Sequence, residues 1–308
     1  MLILITGGCK NGKSSLAQTL ACLLAEQTRT QPYYFATMIP HDEEDELRIT
    51  KHRAERAHLN FETIECGKDI AKTAHRLEQN RVVLFDSITA VLANEMFSAE
   101  TINENAEESV IRALDVLCAR VSSVIFVSDA IFSDGHDYDN TTEAYRSALA
   151  HIEQHIASKA DGVYELIAGT PVAHKGTVFW KRAEEESVKK TTTLIIGGAY
   201  QGKTAWAQSQ FGLLESDIAE CTSDEAPDTT KRCLTHFENY VAFCLKNGEN
   251  PRTDFYDTII ICDDIFCGVV PLEQFQRKLR EATGIALQKI ARHARVIRIV
   301  CGRAEELS

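Results

Sequence analysis

The sequence contains no long apolar run. Nowhere in its 308 residues is there a stretch near the ~20 consecutive apolar residues of a membrane span, so no spanning segment is expected. The opening run Leu2-Ile3-Leu4-Ile5 is too short for a secretory signal and lacks a basic flank; a cytoplasmic location is expected. An excess of basic residues is also missing. The net charge is −12, which argues against a general nucleic-acid surface but not against anionic small molecules, since a phosphate site needs only local cations and oriented amides. Ten cysteines are present, but no two form a C-x-x-C pair, so neither a disulfide framework nor a cysteine zinc site is expected. Several fall in apolar segments, where a free thiol behaves as a small hydrophobe. With 44% hydrophobic and 25% charged residues the composition is that of a globular chain, long enough for two α/β units each with its own core.

What is present is concentrated in the first fourteen residues. Leu2-Ile3-Leu4-Ile5-Thr6 is apolar and β-branched, as a buried strand is. It leads into Gly7-Gly8-Cys9-Lys10-Asn11-Gly12-Lys13-Ser14, which fits G-x-x-x-x-G-K-[ST], and a helical pattern follows with Leu16, Leu20, Leu23 and Leu24 on one face. Strand, glycine loop and helix in that order are the context of a phosphate-binding loop. Backbone amides around Gly7, Gly8 and Gly12 cradle a phosphate at a helix N-terminus, Lys13 reaches the β/γ-phosphates, and Ser14 places its hydroxyl on Mg²⁺. The pattern recurs. Thr193-Leu194-Ile195-Ile196 leads into Gly197-Gly198-Ala199-Tyr200-Gln201-Gly202-Lys203-Thr204 and a helical start. Since one match arises by chance in roughly one chain in a hundred of this length, two in the right context indicate an internal duplication, with Gly197, Gly198, Gly202, Lys203 and Thr204 forming a second nucleotide-binding loop.

Further along, Tyr33 to Thr37 reads as a strand and Asp42 to His58 as a charged helix. Glu44, Arg48, His52 and Arg56 recur every fourth residue and so share one face. That face is either a solvated, salt-bridged surface or a cationic stripe that grips phosphates, with an imidazole able to attack an α-phosphorus. Val82 to Phe85 reads as a core strand ending in Asp86, which either holds Mg²⁺ opposite the phosphate loop or caps the next helix. Ala106 to Val121 is an amphipathic helix, Ser123 to Val127 a strand, and Val163 to Gly169 the strand that closes the unit.

These features together resemble the bifunctional adenosylcobinamide kinase/adenosylcobinamide-phosphate guanylyltransferases of cobalamin synthesis. The phosphate loop, Tyr34-x-Ala36-Thr37, Asp42-x-Glu44, Arg48-Ile49-x-x-His52-x-x-x-Arg56, Thr63-x-Glu65, Thr89 and Asn94 follow one another as they do in that family. The resemblance implies a P-loop nucleoside-triphosphatase-like α/β fold, a mostly parallel sheet flanked by helices, in two tandem units at 1–182 and 190–308. It implies ATP and GTP as nucleotides, Mg²⁺ as cofactor and adenosylcobinamide as substrate. It also assigns His52 as the carrier of GMP, with Arg48 and Arg56 on phosphate oxygens, and it implies self-association, which two fused copies could instead satisfy within one chain.

The resemblance is divided between the halves. After its strand at 123–127 the first unit has Ser128-Asp129-Ala130-Ile131-Phe132-Ser133-Asp134, unlike the family's N-E-V-G-x-G-I-V-P. The second unit has no R-I-x-x-H-x-x-x-R segment, but its Asp264-Ile265-Phe266-Cys267-Gly268-Val269-Val270-Pro271 fits E-V-G-x-G-I-V-P far better than the first unit does. It then matches the family's following helix at Arg277, Arg280, Glu281, Gly284 and Gln288, and closes on Arg295 to Gly302. Cys233-Leu234-Thr235 reads only as a faint echo of Ser87-Ile88-Thr89. Two readings follow: an enzyme with both activities, or a non-catalytic nucleotide-binding assembly or regulatory protein derived from the family. The complementary losses predict that Asp264 to Pro271 lies against a first unit, in the same chain or a neighbour, near His52; the alternative is that the segment simply supports its own phosphate loop.

Overall fold

The computed structural model describes residues 1–308 except 41, 98–100, 135, 179–190 and 308, and the side chains of Glu44, Arg48 and Glu55. Two open sheets form, one on each side of the undescribed segment, within which most of the expected boundary region lies. The first unit runs β1 (Leu2–Gly7), α1 (Lys13–Thr28), β2 (Tyr33–Ala36), α2 (Glu43–Arg56), β3 (Glu62–Glu65), α3 (Ile70–Ala74) and β4 (Val82–Asp86). It continues with α4 (Ile88–Met96), α5 (Ala106–Arg120), β5 (Ser123–Val127), α6 (Asn140–Lys159), β6 (Gly162–Ile167) and β7 (Thr170–Lys175). Its strand order is β3-β2-β4-β5-β1-β6-β7, parallel throughout except for the β6–β7 hairpin.

Buried on both faces, the central strands read as unbroken apolar runs rather than alternating ones. One face, with Leu4, Phe35, Phe85 and Phe126, packs on α3 to α6, while the other, with Ile3, Ile5, Leu84 and Ile125, packs on α1. The buried stripe of α1 is Ala17, Leu20, Ala21, Leu24 and Ala25. Leu23, expected on that stripe, is instead exposed and lines the cavity described below.

The second unit is a shortened copy. It runs β8 (Thr192–Gly197), α7 (Lys203–Phe211), β9 (Ile218–Glu220), β10 (Cys233–Thr235), α8 (Phe237–Lys246), β11 (Ile259–Asp263), α9 (Gln274–Ala291), β12 (Ala294–Val300) and β13 (Arg303–Glu306). The order β13-β12-β8-β11-β10-β9 matches the first sheet strand for strand from β7 to β2. No counterpart of α2 and β3 lies between β9 and β10, which is the structural form of the missing R-I-x-x-H segment. Two sequence readings are corrected. Cys233 to Thr235 is not an echo of Ser87 to Thr89 but the strand β10 itself, in the place of β4: Leu234 pairs with Ile260, so Thr235 stands where Asp86 stands. Neither Val163 to Gly169 nor Arg295 to Gly302 ends its sheet; each turns through a left-handed pair (Ala168-Gly169, Cys301-Gly302) into an antiparallel edge strand.

The two units share a core. Ile167 and Ala168 of the first belong to the same buried cluster as Leu194, Phe266 and Leu287 of the second. Arg298 on β12 grips Glu165 on β6 through both guanidinium nitrogens, at 3.1 and 3.2 Å.

Candidate functional site

Both glycine loops are built alike. Gly12 (φ 88°) and Gly202 (φ 82°) take the left-handed conformation that a side chain disfavours, and so do Lys10 (φ 53°) and Tyr200 (φ 61°) two residues earlier. These reversals of hand make a concave nest of amides at the start of α1 and of α7. Lys13 donates from Nζ to the Gly8 carbonyl at 2.7 Å and contacts Asp129 at 2.9 Å. Lys203 does the same with Gly198 at 2.7 Å and Asp263 at 2.5 Å. Burial works against the Lys13 charge, but the Asp129 carboxylate outweighs it and holds the ammonium above its ordinary pKa. Asp129 therefore belongs to the site, a role missed in a segment that departs from the family pattern. Its sequence signal was an acid directly beyond a core strand.

A cavity of about 1440 Å³ opens on the first loop, lined among others by Lys13, Ser14, His52, Arg56, Asp86 and Asp129. It exceeds the roughly 300–1,000 Å³ that encloses one small ligand. Local chemistry sets each wall. Asp42 caps α2 by accepting the Asp45 amide at 2.8 Å, and the four-residue spacing carries His52 and Arg56 to the cavity side. The Arg56 guanidinium lies 4.0 Å over the Tyr34 ring, and Tyr34 donates its hydroxyl to Asp86 at 2.8 Å. Asp86 does not cap α4; Ser87 does, accepting the Ala90 amide at 3.3 Å. Thr89 accepts the Asp129 amide at 3.0 Å, and Asn94 ties the Thr37 and Gly67 carbonyls at 2.8 and 2.9 Å. Both residues hold the walls together, and Thr89 also lines the cavity. The Arg48 side chain is outside the described residues.

The remaining wall comes from the second unit. The Cys9 amide donates to the Phe266 carbonyl at 3.2 Å and the Ser133 amide to the Cys267 carbonyl at 3.0 Å. Gly268, Val270 and Pro271 line the same cavity as His52. Arg280 shapes this segment by donating to the Gly268 and Val269 carbonyls, both at 2.9 Å. From α9, Gln288 donates to the Lys10 carbonyl, and Glu281 lies 3.2 Å from Lys10 and 3.7 Å from Lys51. A Cβ on Gly284 would stand 3.0 Å from the Lys10 carbonyl and 3.1 Å from that of Cys9. The first phosphate loop is thus covered by the helix that follows the second unit's segment Asp264 to Pro271. The loop Gly197 to Thr204 is not among the residues lining this cavity. No helix among the described residues is long and apolar enough to cross a membrane.

Residues 3–174 match the model of the family described as "Cobinamide kinase / cobinamide phosphate guanyltransferase". The chain is similar to the "Bifunctional adenosylcobalamin biosynthesis protein CobU" of Escherichia coli (strain K12), 26% identical over 187 residues, covering 57% of this chain and all of that protein. It is likewise similar to the protein of the same name from Salmonella typhimurium (strain LT2), 28% identical over 188 residues, with 57% and 100% covered. The "Bifunctional adenosylcobalamin biosynthesis protein CobP" of Pseudomonas aeruginosa is 30% identical over 175 residues, with 56% of this chain and 96% of that protein covered.

Proposed function

The chain belongs to the cobinamide kinase/cobinamide phosphate guanyltransferase family, and on that premise we propose that it performs both transfers on adenosylcobinamide. In the first, the aminopropanol hydroxyl attacks the γ-phosphorus of ATP or GTP and the nucleoside diphosphate leaves. In the second, an imidazole nitrogen of His52 attacks the α-phosphorus of GTP and pyrophosphate leaves. The phosphate of adenosylcobinamide phosphate then displaces His52 from the guanylyl group. The observation that carries this reading is the sharing of one cavity by the Lys13–Ser14 phosphate loop, His52 and Arg56. Its volume exceeds that of a site for one small ligand.

Lys13 binds the β/γ-phosphates once it leaves the Gly8 carbonyl, and Arg56 takes phosphate oxygens from the opposite wall, with Arg48 one helical turn from His52. The Ser14 hydroxyl and the Asp86 carboxylate are hard oxygen donors on the same cavity, a set that fits Mg²⁺; the ion, when bound, neutralises phosphate charge. The loop Gly197, Gly198, Gly202, Lys203 and Thr204 is a second phosphate nest of the same construction.

The departure of Asp129 to His136 from the family pattern motivated the alternative of a non-catalytic binding or regulatory protein. The cover contributed by Phe266 to Pro271 and α9 favours the enzyme, because the piece absent from one unit reaches the cavity from the other. The second unit serves the first as a neighbouring subunit would. Incubation with GTP labelled at the α-phosphorus, followed by denaturing electrophoresis, tests the reading. An acid-labile, base-stable label is expected on wild type and none on His52→Ala; equal labelling of the two refutes the assignment.

A further inference from the structure

The two units correspond residue by residue around the strand beside the phosphate-loop strand, and there the second has changed its chemistry. Asp129 and Asp263 occupy the same place, each contacting its loop lysine. Each also donates its amide to a side chain three residues beyond the β4 or β10 end: to Thr89 at 3.0 Å in the first unit and to Glu238 at 3.0 Å in the second. The residue preceding the helix is Ser87 in the first and His236 in the second. Two hydroxyls have become an imidazole and a carboxylate, while the aspartate is kept.

The donor atoms of His236, Glu238 and Asp263 all lie within 4.8 Å of one another, with His236 Nδ1 3.2 Å from Glu238 Oε1. Ligands about 2.0–2.2 Å from one ion stand roughly 3–3.6 Å apart in adjacent positions, so the set closes on a cation with small rotations. The charge balance points the same way. Glu238 is only 7% exposed, yet the Lys203 ammonium is in contact with Asp263, at 2.5 Å. A buried carboxylate without a full counter-charge is costly. Glu238 accepts from the Asp263 amide and has the His236 imidazole and the Cys262 thiol beside it, no Lys or Arg among them, and its Thr89 counterpart carries no charge.

We infer that His236, Glu238 and Asp263 form a binding site for one divalent transition-metal ion beside the second phosphate loop. One imidazole and two carboxylates suit zinc, cobalt or manganese better than magnesium. Three protein ligands leave at least one position for water or a phosphate oxygen on the side of Lys203. The ion joins the ends of β10 and β11 to the start of α8, the three elements that border the loop.

The test uses the full chain stripped with a chelator and titrated with Co²⁺ alone, followed by calorimetry and by the visible d–d absorption. One saturable Co²⁺ per chain is expected, displaced by Zn²⁺ and showing no thiolate charge-transfer band. His236→Asn and Glu238→Gln should each weaken binding at least about tenfold. Asn is chosen because it tolerates the left-handed backbone of His236 (φ 53°). Thermal melting of each metal-free variant checks its fold, and Glu238→Thr, the residue of the first unit, replaces a variant that melts early. Absence of Co²⁺ binding by wild type, a thiolate spectrum, or affinity unchanged in the folded variants overturns the site.

Discussion

At Gly284 the second unit's α9 packs directly on the first phosphate loop, and replacing it with alanine sets two known effects in opposition. It lies inside α9 without a positive φ, so alanine should gain about 1 kcal/mol of helix propensity. The new Cβ, however, stands 3.0 Å from the Lys10 Cβ, 3.0 Å from the Lys10 carbonyl oxygen and 3.1 Å from that of Cys9. Comfortable contacts are about 3.5–4.0 Å, so the loop or the helix recedes by roughly half an ångström. That displacement lengthens the Gln288-to-Lys10 and Cys9-to-Phe266 hydrogen bonds, each worth about 0.5–1.5 kcal/mol. Global stability should therefore stay within about 1 kcal/mol of wild type. The nest itself is disturbed, and nucleotide binding at the first loop should weaken by about 1–2 kcal/mol, roughly 5- to 30-fold. Thermal melting and titration with a fluorescent GTP analogue measure the two quantities separately. Gly284→Val, with two further methyl groups and a stiff χ1, should weaken binding more. If Gly284→Ala raises stability by the full helix-propensity gain and neither variant alters nucleotide affinity, α9 does not bear on the loop in the working protein.

Three further outcomes follow from particular contacts. Lys13→Met removes the buried ammonium of the first loop and should lower the rate of α-phosphate labelling about 10²–10³-fold, measured with enzyme in excess. Burial pushes the Glu153 carboxyl up to about 7, with the Ser128 hydroxyl opposing and Asp129 adding to the rise; one of its oxygens has no hydrogen-bond partner. A raised folded-state value gives a contribution fully present below about pH 4.3 and lost as pH rises through about 7. Glu153→Gln should therefore match wild type near pH 4 and exceed it by about 2–3 kcal/mol near pH 8 in urea unfolding; a constant difference across that window refutes the assignment. Arg298→Met leaves Glu165 with His174 at 2.8 Å but severs the bidentate link between sheets. A loss of about 1–3 kcal/mol is expected, with unfolding of the two units separating into distinct transitions by calorimetry. A single unshifted transition counts against the link.

The sequence by itself determined those features that are local. A β-branched run, a glycine loop and a helix form within a dozen residues, so both phosphate loops and their strands were legible from spacing alone. The four-residue recurrence through Arg48, His52 and Arg56 likewise placed one face on one helix, and the division of the family pattern between the halves pointed to a partnership. Where a strand is short or polar, that legibility ended. Arg303–Glu306 is exposed at every residue, and Cys233–Thr235 has only three, so neither carries a period that marks a strand or fixes its register. Tertiary structure alone decided that α9 covers the first loop, through contacts such as Gln288 to Lys10 across 278 positions. It alone showed that Asp129 holds Lys13, and that His236, Glu238 and Asp263 converge. Such contacts depend on which strand lies beside which, and no pattern within a segment encodes a neighbour that arrives from the other half of the chain.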